Sequence, residues 1–300
     1  MLPRLVWKQL QLSSTSRNKL CERVAVALNR KSGAVKKLAQ LFDAEEGQTE
    51  TPYGPLVQTR VFNLAEKDVD VAYISPFAIL WIVASSKNGG EFWKRHLCDS
   101  GRRPTIIFHI DESRIGNQLR PDAGRSFQAV HWTFSTLPSW YRSRAHGWFP
   151  LTFLHGGEVK GGDMSRFFCQ MMRIFFAEHD FNFMSGVMLK CSEVPYYIRA
   201  TYGGNVVDEK AHKEILSVKG ASGLRPCASC QNCWAVDKES LTAGEFHFET
   251  PELDKFRLHS KASFGKLAAT VARGKTTMEA KRFEELERLT GMIYNAGGLP

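Results

Sequence analysis

The sequence lacks the features that would place a chain at once among fibrous, repetitive or membrane proteins. It has no internal repeat, no low-complexity tract and no long apolar run. Its longest apolar stretch, residues 71–84, is about 14 residues long, whereas a helix needs about 20 to cross a bilayer. We therefore predict no membrane span. We interpret Ser75 as a helix cap, with Pro76 at the first helical position.

Cysteine is also too sparse and too irregular to build a disulfide framework. The chain has 7 cysteines, an odd number. Four of them are scattered singly: Cys21, Cys98, Cys169 and Cys191. This usage is typical of a reducing compartment.

Two common catalytic signatures are missing, and acidic residues are fewer than basic ones. There is neither a phosphate-binding G-x-x-x-x-G-K-[ST] loop nor a nucleophile elbow. The apolar content of 43% and charged content of 24% are those of a globular protein. The net charge of +9 favours an anionic partner such as nucleic acid. A mildly basic protein without such a partner is the alternative.

The segment 1–51 is rich in Lys and Arg, and Glu22 is the single acid among its first forty residues. Apolar residues recur at helical spacing through its second half. We predict a basic helical region here, followed by a turn-rich linker. An organelle presequence is the alternative interpretation, because such peptides are also basic and poor in acids.

The remaining chain alternates between strand-like and helix-like segments. Period-two alternation and short apolar runs predict strands, and a stripe of Phe and Met predicts a core-facing helix. The predicted strands cover 105–111, 126–134, 148–154, 186–191, 196–202 and 205–207. The predicted helices cover 76–97, 163–178, 208–218 and 276–290. This order predicts an α/β core at 52–218, in which helices flank a mixed sheet, and a separate region at 219–300.

Three cysteines recur at two-residue spacing in Cys227-x-x-Cys230-x-x-Cys233. Thiolates at this spacing share one tight turn and can converge on a tetrahedral zinc ion. Candidates for the other ligands are Cys233, His212, His247, His259 and Cys191. We expect a structural zinc site formed by Cys227, Cys230, Cys233 and His212, with ordinary unligated thiols as the alternative.

Two aspartates follow predicted strands at the point where each strand ends. Asp111 follows the first strand of the core, and Asp208 follows the last. Carboxylates at adjacent strand ends can hold the divalent metals of a phosphoryl-transfer site. Alternatively Asp208 caps the next helix, with Glu209 in its first turn, and Asp111 caps a turn.

Several short motifs occur together in a recognisable order. They are His-Ile-Asp-Glu-Ser-Arg-Ile-Gly-Asn-Gln at 109–118, Phe-Gln-Ala-Val-His-Trp-Thr-Phe at 127–134, Leu137-Pro138, and Asp208 followed by Lys-Gly-Ala-Ser-Gly-Leu-Arg-Pro-Cys-Ala-Ser-Cys at 219–230. Over residues 52–235 this order resembles the RNase H-like DNA transposases of the Plavaka/KDZ type and related multicopy eukaryotic proteins.

The resemblance implies a fold, an activity and a partner. It implies an RNase H-like core that cleaves and transfers DNA strands with Mg²⁺ or Mn²⁺ at Asp111 and Asp208. It also implies a zinc loop at Cys227 and Cys230, and DNA as the partner. A transposase-derived protein would act in the nucleus; otherwise we expect a cytoplasmic protein.

A third metal-binding acid is expected in such transposases, well beyond the cysteine loop. The acids on the last predicted helix are Glu279, Glu284, Glu285 and Glu287. They form a solvated charged face, so we assign none of them. We expect a truncated copy, a domesticated remnant without nuclease activity, or a fragmentary gene model.

Two other enzyme classes share part of the cysteine pattern. Zinc deaminases combine H-x-E with P-C-x-x-C, and this chain has His212-x-Glu214 and Pro226-Cys227-x-x-Cys230. Residues 215–225 are too few to finish a helix and cross a sheet between the two motifs. A thioredoxin-like pair would begin a helix after a strand, whereas here a Gly-rich loop precedes the cysteines.

A non-catalytic nucleic-acid-binding module is the remaining alternative. Arginines in the middle of the chain would contact phosphates, and aromatic residues among them would stack on bases. The arginines are Arg102, Arg103, Arg114, Arg120, Arg125, Arg142 and Arg144. The aromatic residues are Trp132, Trp140 and Tyr141. Alternatively, the arginines are solvated and the aromatic residues pack beneath them.

Overall fold

The backbone is described by a computed structural model over residues 51–298. The exceptions are 65–66, 86, 100, 102, 115–125, 145–146, 156, 160–162, 192–193, 237–246 and 250–254. Internal contacts divide the described residues into two units. The first unit comprises the part before 160 and Gln170–Asp208, and the second comprises 163–169 and the part from Glu209 onward. Except for Thr51, the predicted basic helical region lies outside the described residues.

The first unit contains eight strands, six of which form one mixed sheet. The strands are β1 (Val57–Asn63), β2 (Asp68–Ile74), β3 (Thr105–Arg114), β4 (Ser126–Phe134), β5 (Phe149–His155), β6 (Val187–Cys191), β7 (Val194–Ile198) and β8 (Thr201–Val206). The order in the sheet is β1-β2-β5-β4-β3-β8. All neighbours are antiparallel except β3 and β8, which are parallel. β6 and β7 form a separate antiparallel hairpin.

The sheet is amphipathic because its strands alternate between a buried and a more exposed face. In β3, Ile106, Phe108 and Ile110 are buried, whereas Ile107, His109 and Asp111 alternate with them on the more accessible face. Period-two patterning is the expected signature of a strand with one face against a core. The predicted α/β core with helices flanking a mixed sheet is confirmed.

Helices surround this sheet and supply the aromatic core. They are α1 (Pro76–Ser85), α2 (Lys87–Trp93), a π-helix (Lys94–Cys98), α3 (Ser139–Arg142) and α4 (Asp163–Phe176). Ser75 caps α1, since its Oγ accepts a hydrogen bond of 3.3 Å from the Ala78 amide. The α4 residue Phe175 contacts Phe108 and Trp132, with ring centroids 4.9 and 5.2 Å away. The predicted cap and the predicted core-facing helix are both confirmed.

The second unit is mainly helical in its described part. Its elements are α5 (Glu209–Leu216), a 3₁₀ turn (Gly220–Ser222), β9 (Trp234–Val236), β10 (His247–Glu249), α6 (Lys261–Thr277) and α7 (Ala280–Thr290). Ser260 and Ser263 form a reciprocal capping box at the start of α6. Gly274 lets α7 approach closely, because a Cβ there would lie 2.4 Å from Leu286.

The strands β1 and β2 and most of helix α6 were not predicted, and two predicted elements have other boundaries. The strand predicted at 196–202 is wrong, because the chain turns at 199–200 and its two halves pair with different partners. The helix predicted at 276–290 is also wrong at its start. The chain leaves α6 at Met278 in an extended conformation before α7 begins. No helix in the described part of the chain combines the length and apolar character needed to cross a membrane.

Candidate functional site

The parallel pairing of β3 and β8 brings the two predicted aspartates to one edge of the sheet. The ladder begins at Thr105↔Thr201 and ends at His109↔Val206. Asp111 follows His109 by two residues, and Asp208 follows Val206 by two residues. Both aspartates therefore lie two residues beyond the last pair of this ladder, toward the same edge of the sheet. The prediction that Asp111 lies at the end of its strand is wrong, because pairing with β4 continues the strand through Arg114 and sets Asp111 opposite Ala129. Asp208 lies beyond the end of β8, in the connection to α5.

Both carboxylates have access to solvent at this edge. Asp111 and Asp208 are exposed. Asp111 alternates with the buried Ile110 and shares the face of His109. Asp208 directly precedes α5, so it occupies the capping position as well as the sheet edge. The helix-cap alternative and the metal-ligand prediction are thus compatible in geometry.

Two histidines lie beside Asp111 on the same face, and the sequence analysis did not single them out. His109 and His131 are opposite each other on β3 and β4, with ring centroids 6.3 Å apart. Burial, together with the charge of His109, lowers the pKa of His131 to about 4. His131 is therefore neutral at physiological pH. The spacing of two residues between His109 and Asp111 could have indicated this cluster, because residues at that spacing lie on one face of a strand.

A third histidine, His155, lies near the same edge of the sheet, further along the strands. Phe127 pairs with both Ser113 on β3 and His155 on β5, so His155 lies two residues beyond the level of Asp111. The Gly157 amide donates a hydrogen bond of 3.2 Å to His155 Nδ1. Nδ1 accepts this bond, so in the neutral ring the proton lies on Nε2.

Oxygen ligands of the kind that Mg²⁺ and Mn²⁺ prefer are present here, but they are few. Two carboxylates at neighbouring strand ends can bridge a divalent cation together with water. Among the residues that the structure describes, however, no group of three or more His, Cys, Asp or Glu side chains is arranged to hold a metal ion. The fit to a divalent metal therefore rests on Asp111 and Asp208 alone.

Comparison with known proteins adds no relative from which a function can be transferred. No protein-family model matches the chain, and no curated protein is significantly similar to it. Its function must accordingly be argued from its own residues.

The predicted cysteine loop lies in the second unit and is fixed by backbone hydrogen bonds. The Gln231 amide donates to the Arg257 carbonyl at 2.7 Å, and the His259 amide donates to the Ser229 carbonyl at 2.8 Å. At its start, the Leu224 amide donates to the Arg288 carbonyl at 2.9 Å. These bonds fix the backbone of the loop on both sides of Cys230.

The three thiols of this loop interact with one another. Burial, a hydrogen bond with the Cys227 thiol and the charges of Cys227 and Cys233 raise the pKa of Cys230 to about 11. Burial, followed by the charge of Cys227, raises the pKa of Cys233. A metal would reverse these shifts, because it binds thiolates and stabilises them.

The fourth predicted zinc ligand, His212, does not form a metal site with this loop in the described residues. His212 lies on α5, and no group of three or more ligand side chains is arranged around a common point in the described residues. The His259 amide is hydrogen-bonded to the Ser229 carbonyl within the loop, but the His259 Nδ1 is 3.1 Å from Ser263 Oγ. The residues thus fit zinc in type and spacing, but within the described residues even the three thiols are not arranged around a common point.

The deaminase and thioredoxin alternatives lack their structural context. Between α5 and Cys227 the chain forms a 3₁₀ turn and a loop, with no intervening strand. Cys227 and Cys230 both lie in that loop and not on a helix. Neither motif is therefore placed as those enzymes require.

Of the three aromatic residues that were predicted to stack on bases, only Trp140 is largely exposed. Trp132 and Tyr141 are 0% and 4% exposed, so neither can stack on a base. Trp140 is 55% exposed, and the Arg144 guanidinium lies 6.0 Å from the centre of its ring. Arg103 is exposed, and Arg142 donates to the Leu137 carbonyl at 2.9 Å. Arg102, Arg120, Arg125 and the Arg114 side chain lie outside the described residues.

Proposed function

We propose that this protein derives from a transposase-type enzyme with an RNase H-like core, which cleaves and transfers DNA strands with Mg²⁺ or Mn²⁺. The observation that carries the proposal is the register of β3 and β8, which supports Asp111 and Asp208 as neighbours at one sheet edge. Carboxylates separated by almost a hundred residues of sequence would meet there because the strands are parallel.

The topology of the sheet supports the same proposal. β3, β4 and β5 form an antiparallel meander, and the chain returns through α4 to place β8 parallel to β3. A parallel neighbour requires such a crossover connection. In open α/β sheets, ligand sites form beyond the carboxyl ends of the strands. Asp111 and Asp208 both lie on that side of the β3–β8 ladder, two residues beyond its last pair.

The residues at this edge suggest a division of roles. Asp111 and Asp208 would hold the divalent metal, which activates water and stabilises the leaving oxygen in phosphodiester cleavage. His131 is held neutral by burial and by the charge of His109, so it adds no positive charge beside the metal. Asp208 would also orient α5, whose amino-terminal dipole favours a carboxylate at that position.

A plasmid-nicking assay tests the proposal. With Mg²⁺ or Mn²⁺, the wild-type protein is expected to nick supercoiled DNA, and Asp111→Asn is expected to abolish nicking. Asp70→Asn is the matched control, because Asp70 is an exposed strand residue of the same sheet. Nicking that persists in Asp111→Asn, or that disappears equally in Asp70→Asn, would contradict the assigned role.

A structural zinc ion is the second element of the proposal. Cys227, Cys230 and Cys233 would supply thiolates, and His212 is the candidate for the remaining position. The support is the hydrogen bond between the Cys227 and Cys230 thiols and the loop that fixes them. Zinc would stabilise this loop, and no chemical step is assigned to it.

A non-catalytic nucleic-acid-binding module is the second candidate function. The observation that favours it is that no group of three acidic or other ligand side chains is assembled in the described part of the chain. Such a module would bind DNA in a salt-sensitive manner that survives Asp111→Asn, and it would not nick. Either function implies access to nuclear DNA.

A further inference from the structure

Helix α6 presents an unusual charged surface that neither the acidic site nor the cysteine loop uses. Its sequence, Lys-Ala-Ser-Phe-Gly-Lys-Leu-Ala-Ala-Thr-Val-Ala-Arg-Gly-Lys-Thr-Thr, contains no acid. All of its charged residues are basic and exposed: Lys261, Lys266, Arg273 and Lys275. A solvated helix of ordinary composition would mix both signs of charge.

The buried side of α6 explains which face remains open. Val271 and Gly274 are buried, and Gly274 packs against Leu286 and Phe283 of α7. At 100° per residue, the opposite face carries small side chains: Ala262, Gly265, Ala269, Ala272 and Thr276. All five are exposed.

The basic residues border this open face on both sides. On the helical wheel Lys266 and Arg273 lie on one flank, and Lys261 lies on the other. Lys266 and Arg273 are separated by two turns, which is about 10 Å along the helix axis. The Lys275 ammonium lies 5.1 Å from the centre of the Phe283 ring, so it is partly engaged by α7.

Two acidic residues of the neighbouring helix α7, Glu285 and Glu287, interact with other groups and not with these cations. Glu285 of α7 accepts two hydrogen bonds of 3.0 Å from Arg288. Glu287 lies 3.4 Å from the Lys219 ammonium and accepts from the Tyr294 amide. Within the described part of the chain, Lys261, Lys266 and Arg273 form no ion pair. Their charge remains available to a partner.

We propose that the exposed face of α6 binds the sugar-phosphate backbone of duplex DNA, with Lys261, Lys266 and Arg273 contacting phosphates. This inference names the DNA surface for the proposed function and rests on it for the choice of polymer. The small side chains allow the helix axis to come close to the duplex. The major groove, about 12 Å wide, admits a helix. Cations on two flanks then face the two strands that border the groove.

A protein partner fits this face less well than DNA does. Binding hot spots in protein interfaces are enriched in Trp, Tyr and Arg anchors in well-packed pockets. The centre of the α6 face offers Ala, Gly and Thr, and only the flanks are charged. With few hydrogen-bond donors at its centre, the surface has little means to read base edges. We therefore expect binding that depends on salt and discriminates poorly between sequences.

The test is the salt dependence of duplex binding by the full chain, measured by fluorescence anisotropy over about 50–200 mM NaCl. The triple variant Lys261→Gln, Lys266→Gln, Arg273→Gln removes three cations. Its matched control, Lys67→Gln, Lys190→Gln, Arg95→Gln, removes three exposed cations from the first unit. Each lost phosphate contact lowers the slope of log K against log salt by about 0.9. The α6 variant should therefore lose about 2–3 units of slope, and the control should lose much less.

A second pair of variants separates charge from bulk. Ala269→Glu introduces a carboxylate at the centre of the face, and Ala269→Gln introduces a side chain of the same size without charge. We expect Ala269→Glu to weaken binding well beyond Ala269→Gln. Unchanged helical circular dichroism would show that α6 is intact in both variants. Equal binding by the two variants would overturn the proposal.

The outcomes distinguish this surface from the catalytic proposal. Equal slopes for the α6 triple variant and its control would overturn the surface assignment while leaving nicking at Asp111 untouched. Loss of binding in the α6 variant, without any metal-dependent nicking by the wild type, would support the surface and contradict the enzyme. Polyglutamate bound as tightly as duplex DNA would overturn the assignment to DNA and indicate an acidic protein partner.

Discussion

The proposed proximity of Asp111 and Asp208 predicts a measurable effect on stability before any DNA is added. Neighbouring strands lie about 4.8 Å apart, so carboxylates at the same level are separated by about 5 Å. Their repulsion is about 0.8 kcal/mol at the dielectric constant of water and about 3 kcal/mol at an effective value near 20. Because both residues are exposed, the lower figure applies. Replacing either carboxylate by an amide should remove this repulsion.

Asparagine is the informative substitution at both positions. At Asp208 it keeps the capping side chain, since Asn and Asp cap helices about equally well. We therefore expect Asp111→Asn and Asp208→Asn each to raise the free energy of unfolding by about 0.5–1 kcal/mol in buffer without divalent cations. The double variant should gain no more than either single one, because one repulsive pair is removed in all three.

Addition of Mn²⁺ should reverse this order. A ligand that binds only the folded state stabilises it by about 2.7 kcal/mol when its concentration is 100 times its dissociation constant. The wild type should gain this increment, and both single variants should lose most of it. The assay is urea unfolding followed by tryptophan fluorescence, without chelators that would strip zinc. Variants less stable than the wild type without metal, or equally stabilised by Mn²⁺, would refute the inferred proximity.

Two further predictions concern the cysteine loop and an ion pair in the first unit. Elemental analysis of the purified protein should find about one equivalent of zinc, because three thiolates of the loop would ligate it. The zinc should be lost in Cys227→Ser and in Cys230→Ser. A wild-type protein without zinc would contradict the predicted site. Glu178 is only 15% exposed and accepts two hydrogen bonds from Arg60, which lowers its pKa. The stabilisation of the folded state by this ion pair is therefore present above the unfolded carboxyl pKa of about 4.3. It is lost as the pH falls through the lower pKa that Glu178 has in the folded state. Glu178→Gln should cost about 1–2 kcal/mol at pH 7 and flatten this acid dependence, measured by thermal unfolding from pH 7 to 3. An unchanged pH profile would contradict the role of the pair.

Local patterns predicted β3, β4 and β5 of the central sheet, but not β1 or β2. The alternation in β4 and the apolar run in β3 predicted strands because side chains in a strand point to opposite faces in turn. The Phe and Met stripe of α4 predicted burial, and Phe167, Phe168 and Phe175 are at most 1% exposed. Asp111 and Asp208 were both predicted to lie at strand ends. This is wrong for Asp111, because pairing with β4 continues β3 to Arg114, and local sequence could not show that pairing.

The features that sequence patterns did not reveal depend on distant contacts. The residues of β7 and β8 read as one strand because a turn at 199–200 carries no Gly or Pro signal. Their division is set by pairing with β6 in one case and β3 in the other. α6 escaped prediction because its stripe is weak and contains Gly265 and Gly274. Its packing with α7 compensates for the low helix propensity of glycine.

Local sequence patterns also could not predict which aromatic side chains are exposed. Trp132, Trp140 and Tyr141 are close in sequence, yet only Trp140 is largely accessible. Trp132 lies on the core face of β4, whereas Trp140 lies on the short helix α3. Burial of Trp132 is decided by Phe149, Phe175 and Phe183, which come from three other segments.

The shared cation of Asp111 and Asp208 is tested most directly by a crystal structure with Mn²⁺, using its anomalous scattering to locate the ion. We predict a peak between the two carboxylates, within about 2–2.5 Å of an oxygen of each. Carboxylates on opposite faces of the sheet, or a Mn²⁺ ion bound elsewhere with none at this edge, would contradict the account.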